Sequence, residues 1–320
     1  MTSTDEIAAG RIAVVVVTGP TASGKSELAL ELAERFDGEI VNADSMQIYR
    51  YMDIGTAKPS LEERARVPHH LFDTVLPDAD YSAGRFGEEA RSVAEEIHRR
   101  GRLVLLTGGT GLYIRAFLHG LIATGPADAE FREALEQEHA EALAAGDSNR
   151  LHRRLAEVDQ SAAERIHPHD ARRTIRALEI IEQSGRPASR IRRDHGFSRS
   201  PFNSLHLAID PGVDIVSERI ETRCQEMIDA GLLREVRALR NRGYGAELRS
   251  MQGIGYRHMN PVVDGVETLL GAGVAMTADT RRFARRQRTW LRKVSGAIWL
   301  DPRRPSPIFE AVEKFSEEGP

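Results

Sequence analysis

In the first part of the chain, apolar runs without a polar face alternate with stretches of helical spacing. Ala13–Thr18 reads AVVVVT and stops at Gly19-Pro20. A β-branched run of this kind predicts a strand buried on both faces, as in a parallel sheet. From Lys25 to Phe36, Leu28, Leu32 and Phe36 share one face with Ala29 and Ala33 beside them, which predicts a helix ended by Asp37-Gly38. Glu39–Ala43 (EIVNA) predicts a second strand, Ala83 to Arg100 a helix stopped by Gly101, and Leu103–Thr107 a third strand that breaks at Gly108-Gly109. This alternation predicts an α/β fold with a doubly wound parallel sheet.

After Gly125-Pro126 the strand signals stop. FREALEQEHAEALAAG, RLHRRLAEV and DARRTIRALEIIEQSG are helical and polar, and they run to a loop around Gly196–Pro201. Leu205–Ile209 (LHLAI) returns to strand character, with mostly helical sequence beyond it. The pattern predicts a core of residues 1–125 and 201–320 interrupted by a helical insertion, 126–200.

Composition narrows the class. With 41% hydrophobic and 29% charged residues the chain is neither collagen-like nor mainly disordered. A single cysteine, Cys224, excludes an internal disulfide or a cysteine metal cluster and suits a reducing compartment, so a cytoplasmic location is expected. The apolar run Ile12–Val17 is far shorter than the ~20 residues of a membrane helix, and acidic Asp5 and Glu6 before it do not suit a signal peptide.

The net charge of −4 hides two basic stretches, +5 over 149–200 and +7 over 276–304, built almost wholly from arginine. Such stretches suit a polyanion, and solvated helix faces are an equally open reading. Projected at about 100° per residue, Arg281, Arg285, Arg288 and Arg292 fall on one arc, roughly opposite Phe283, Trp290, Leu291 and Val294. This predicts a cationic ridge able to follow a nucleic-acid backbone. Arg172, Arg173 and Arg176, with Arg132 at the insertion's entrance, predict a second basic surface. Trp290 and Trp299 read as core anchors, and His69-His70 and His167-Pro168-His169 as solvated or capping histidines rather than metal ligands.

The strongest motif is Gly19-Pro20-Thr21-Ala22-Ser23-Gly24-Lys25-Ser26, a G-x-x-x-x-G-K-[ST] loop between the first strand and the first helix. Its glycines let backbone N–H groups converge on phosphate oxygens at a helix N-terminus. Lys25 adds a positive charge, and the Ser26 hydroxyl can hold Mg²⁺. A P-loop kinase or NTPase would usually carry a Walker-B carboxylate nearby. The third strand instead ends Leu105-Leu106-Thr107-Gly108-Gly109-Thr110, and the nearest acid at a strand end is Asp44. Strand C-termini form the ligand crevice in such sheets, so Asp44 and Thr110 should face the loop. Asp44 then serves as a helix cap, a metal ligand or a proton acceptor.

At these residues the chain resembles the tRNA dimethylallyltransferase (tRNA isopentenyltransferase) family in its bacterial form. The matching segments are GPTASGKS (Gly19–Ser26), DSMQIYRYMDIGTAKPS (Asp44–Ser60), GGTGLY (Gly108–Tyr113), RIHPHDARRTIRALE (Arg165–Glu179), IGYR (Ile254–Arg257) and TRRFARRQRTWLR (Thr280–Arg292). Arg172 stands where the family often has Gln. The resemblance implies a P-loop NTPase-like core with a helical insertion, Mg²⁺ dependence, dimethylallyl diphosphate as donor and the tRNA anticodon stem-loop as acceptor, in a monomer without a membrane partner. It implies that Gly19–Ser26 and Arg223 bind the diphosphate, with Arg219 one helical turn earlier as the alternative. Asp44 as base and Thr110 as hydrogen-bonding partner would be the catalytic pair at the target adenosine. The RNA-contacting set would add Ser45, Met46, Gln47, Gln252, Gly255, Tyr256 and Arg257 to Arg132, Arg172, Arg173, Arg176, Arg281 and Arg285. The rival readings are a small-molecule P-loop kinase, disfavoured by the missing Walker-B acid, and a non-catalytic RNA-binding regulator.

Overall fold

The computed structural model describes residues 11–122, 128–196 and 200–317. Six strands, β1 Ile12–Thr18, β2 Gly38–Asn42, β3 His69–His70, β4 Leu103–Gly108, β5 Phe202–Ile209 and β6 Ile298–Leu300, form one sheet in the order β3-β2-β4-β1-β5-β6. Every pairing is parallel. The helices before residue 120 are α1 Lys25–Arg35, α2 Leu61–Arg66, α3 Ala83–Arg99 and α4 Gly111–His119. Next come α5 Ala129–Ala144, α6 Arg150–Val158, α7 Gln160–Ala163, α8 Ala171–Ser184 and α9 Ala188–His195. After β5 follow α10 Val213–Ala230, α11 Leu232–Asn241, α12 Tyr256–Val263, α13 Leu269–Leu291 and α14 Ser306–Glu317.

The valine run of β1 lacks alternation because both of its faces are covered. Val14 and Val16 pack with Phe86, Ala90, Ile114 and Phe117, while Val15 and Val17 pack with Leu28, Leu32, Ile308 and Val312. All four valines are fully buried, and each contributes roughly 1.5–3 kcal/mol of apolar burial. Register then sets the site: Thr18 pairs with Gly108 and with Ala208, and Asn42 with Thr107. The loops after β1, β2, β4 and β5 therefore open along one edge of the sheet, where ligands bind in this architecture.

The two edge strands escape the sequence pattern because they are two and three residues long. In β6 Trp299 is 41% exposed, so it is not the core anchor its type suggests. Trp290 does pack on the core, where its ring takes the space a Cβ on Gly111 would need.

The chain divides into one unit of Met1–Leu118 and Ser200–Pro320 and a second of His119–Arg199. The sequence places the entrance at 126, but Ile114, Phe117 and Leu118 of α4 pack into the first unit, so the chain leaves it at His119. Gly125-Pro126 lies outside the described residues. The second unit has its own core of Leu135, Leu151, Leu155, Ile175 and Leu178. Beside that core the fully buried Glu179 carboxylate accepts from Arg132 Nε (2.6 Å), Arg132 Nη2 (2.8 Å) and Arg176 Nη1 (3.2 Å). Among the described residues, no helix is long and apolar enough to cross a membrane.

Candidate active site

Between β1 and α1 the backbone curls back on itself. Ala22 (φ 62°) and Gly24 (φ 92°) adopt left-handed conformations, and Ser23 N donates to Pro20 O at 3.2 Å. Gly24 caps α1 without a side-chain acceptor, which leaves the first-turn N–H groups to an anionic ligand. Gly19 is required by close approach, since a Cβ there would stand 2.4 Å from Ile209 O and 2.5 Å from Ser23 Oγ. Lys25 Nζ lies over the loop, 3.4 Å from Pro20 O.

Asp44 and Thr110 follow the neighbouring strands β2 and β4. Thr110 N donates to Ala43 O at 3.1 Å, and the Thr110 hydroxyl accepts from Ser45 N at 3.0 Å and donates to Ser45 Oγ at 3.3 Å. Asp44 Oδ1 accepts from Met46 N at 2.8 Å, while Asn42 ties the turn by accepting from Asp44 N at 2.9 Å. Ser45 thus joins the two segments, and the Asp44 carboxylate reaches a cleft also lined by Thr21, Lys25, Ser26, Thr107 and Arg223.

That cleft is cationic and partly dry. Burial, then the neighbouring Arg223 guanidinium, pushes the Lys25 ammonium down to about 8, with Asp44 acting in the opposite direction. Burial likewise lowers Arg223, again opposed by Asp44. Two desolvated cations facing one carboxylate make a site for a multiply charged anion. Arg219, one turn earlier than Arg223 on α10, is exposed, and its Nη1 stands 3.5 Å from where a Cβ on Gly24 would be. His69, read from sequence as solvated or capping, lines the cleft instead. Its Nδ1 pairs with Val67 O at 2.8 Å, and burial lowers its pKa.

One wall of the cleft is held by residues expected to touch RNA. Gln47 Nε2 donates to Thr56 O and Ala57 O, both at 3.1 Å. The Glu235 carboxylate accepts from the N–H groups of Asp53 (3.0 Å), Ile54 (2.8 Å) and Gly55 (3.2 Å), and from the Tyr256 hydroxyl (2.6 Å). Tyr256 is fully buried, and its side chain holds this loop. Gly255 (φ 93°) provides the left-handed turn before α12, Met46 packs against Gly253, and Gln252 is exposed with Nε2 donating to Ala246 O at 2.6 Å.

Helix α13 corrects the expected ridge. Arg288 is buried and bidentate to Asp210 at 2.6 and 2.7 Å, with a further bond to Gly212 O at 3.0 Å. Burial acts to raise the Asp210 carboxyl, and the Arg288 hydrogen bonds outweigh it and hold it below the usual range. Arg285 and Arg292 remain exposed, and Arg281 is half-exposed and paired with Glu221 at 2.6 Å. Arg257 is half-exposed and, with Arg282 and His258, surrounds Asp279, whose carboxyl is held far below its usual range first by Arg257. In the second unit Arg172 and Arg173 are exposed, whereas Arg132 and Arg176 are committed to Glu179.

The family model described as IPP transferase matches residues 47–294. The chain belongs to the IPP transferase family. A tRNA dimethylallyltransferase of Geobacter metallireducens is 50% identical over 304 residues, 94% of this chain and 97% of the relative. Another, from Desulfosudis oleivorans, is 47% identical over 292 residues, 91% of each chain. Among solved structures, the full-length tRNA isopentenylpyrophosphate transferase of Bacillus halodurans superposes with a TM-score of 0.71 at 37% identity, covering 96% of this chain and 98% of that one. A eukaryotic dimethylallyltransferase acting on tRNA gives a TM-score of 0.83 at 26% identity, covering 97% of this chain and 81% of its own. The parallel sheet and phosphate loop thus belong to a chain of a transferase family, and the sequence resemblance extends over nearly the whole chain.

Proposed function

We infer that this protein moves the dimethylallyl group of dimethylallyl diphosphate onto the exocyclic amine of the tRNA adenosine on the 3′ side of the anticodon, releasing diphosphate. The observation that carries this reading is the meeting of Lys25, Arg223 and Asp44 in one cleft above the phosphate loop. In the reaction the bond between the donor's first carbon and its diphosphate oxygen breaks, and a bond from that carbon to the amine nitrogen forms. The first-turn amides of α1, Lys25 and Arg223 take up the charge developing on the leaving group, and such preorganised donors are typically worth ~10²–10³ each in rate. Asp44 receives the amine proton, and Thr110, fixed through Ser45 and Ala43, aligns the base. The adenosine must leave its stack to reach this depth.

A Mg²⁺ ion fits these residues. The Thr107 hydroxyl is buried in the cleft wall without a hydrogen-bond partner, beside Ser26 and Asp44. Mg²⁺ typically uses one or two protein oxygens, waters and substrate phosphate oxygens. Bound at Ser26, it would supply positive charge to the diphosphate. The exposed arginines Arg285 and Arg292, with Arg172 and Arg173 and the half-exposed Arg281, supply cations for the RNA backbone.

Incubation with unmodified tRNA, radiolabelled dimethylallyl diphosphate and Mg²⁺ tests the reading. Label in tRNA is the expected result. ATP consumption without label would indicate a kinase, and tight tRNA binding with neither would indicate a regulator.

A further inference from the structure

Gln287 is an uncharged residue in the most basic stretch of the chain, and it is buried. Its Oε1 accepts from Thr21 N in the phosphate loop at 2.8 Å, and its Nε2 donates to Gly109 O at 3.2 Å. The carboxamide therefore spans from the loop after β1 to the loop after β4. The next residue, Arg288, is locked to Asp210 and Gly212, which fixes α13 at this point. Gly109 has no side chain because Gln287 occupies the space: a Cβ there would stand 2.1 Å from Nε2. Immediately after Gly109 comes Thr110, whose N–H holds Ala43 O and whose hydroxyl holds Ser45.

We propose that Gln287 is a positioning residue for the transfer reaction, clamping the phosphate loop and the Thr110 segment at a fixed separation. The inference rests on the diphosphate reading of the loop. A carboxamide suits the task because it offers one acceptor and one donor without charge. A carboxylate here would face the Gly109 carbonyl and stand beside the donor's diphosphate. An apolar side chain would leave the Thr21 N–H and the Gly109 carbonyl without this partner. The same amide commits the Thr21 N–H to the protein, so the phosphate oxygens must be held by the later amides of the loop.

Three variants test this: Gln287→Leu, Gly109→Ala, which pushes the carboxamide aside while keeping the glutamine, and the double variant. Pyrophosphate binding by calorimetry, tRNA binding without donor, and KM and kcat for dimethylallyl diphosphate are measured on the full chain. Each single variant should weaken pyrophosphate binding and raise the donor KM about tenfold, the loss of one to two hydrogen bonds, with tRNA affinity within about twofold of wild type. The two losses should not add in the double variant, because both act through one carboxamide. Pyrophosphate binding unchanged in the single variants, or losses that add, would overturn the proposal while leaving the diphosphate reading intact. Wild-type protein that binds no pyrophosphate would overturn that reading and the proposal with it.

Discussion

Arg223, on α10, points its guanidinium into the cleft that holds the Lys25 ammonium, and this proximity is one cause of the low Lys25 pKa of about 8. The pairing is unfavourable without an anion and becomes favourable with one. Binding a diphosphate raises the Lys25 pKa, so its contribution to affinity is fully present below about pH 8 and is lost as pH rises above it. Corrected for pyrophosphate's own ionisation, the affinity should therefore be flat below that pH and fall by up to ~10-fold per unit above it. In Arg223→Ala the affinity should drop overall, and the break should move to higher pH. It should stay below the ordinary lysine value because burial is the larger cause. Calorimetry across pH measures both.

Asp44 accepts Met46 N–H and faces the cations, so the isosteric amide keeps its shape while removing proton acceptance together with the charge opposite Lys25 and Arg223. Asp44→Asn should bind tRNA within about twofold of wild type and lose ~10²–10⁴ in turnover, the usual worth of a positioned base. Single-turnover assays at saturating donor read this directly, and unchanged turnover would remove Asp44 from the mechanism.

The arginines of α13 should separate into two kinds. Arg281→Ala and Arg285→Ala should each weaken tRNA binding and reduce the slope of log K against log salt by roughly 0.7–0.9 per lost phosphate contact. Arg288→Ala should instead destabilise the fold, by about 3–5 kcal/mol, because it strands the Asp210 carboxylate. Salt-dependent filter binding and urea unfolding distinguish them.

Tyr256→Phe tests whether this residue serves the protein or the RNA. Its hydroxyl donates to Glu235, which holds the Asp53–Gly55 turn. Loss of the bond should cost about 1–3 kcal/mol in unfolding free energy, in the range for a hydrogen bond to a charged group, with tRNA affinity within about twofold of wild type. A large fall in affinity with unchanged stability would return Tyr256 to the RNA surface.

The parts of this architecture legible in the sequence are those encoded by local pattern. The valines of β1 announce a strand covered on both faces, and the glycines and Lys25 announce a phosphate cradle on the following turn. Asp44 and Thr110 could be placed together because strand ends converge in a parallel sheet. What the pattern missed depends on distant partners. The arc of arginines on α13 is real as a helical projection, but Asp210, at the end of β5, draws Arg288 inward. Gln287 carries no charge or spacing signal, and its role appears only when Thr21 and Gly109 are brought beside it. His69 lacks a motif because β3, two residues long, places it in the cleft.

In the proposed reaction the loop opening α1 holds a departing diphosphate whose carbon chain faces Asp44. A crystal structure with tRNA anticodon stem-loop and the unreactive thiolo analogue of dimethylallyl diphosphate tests it most directly. Phosphate oxygens should lie within hydrogen-bond distance of the first-turn amides, Lys25 and Arg223, with the first carbon of the prenyl group between Asp44 and the adenosine amine. An analogue bound elsewhere, with a nucleoside triphosphate seated in the loop instead, would contradict it.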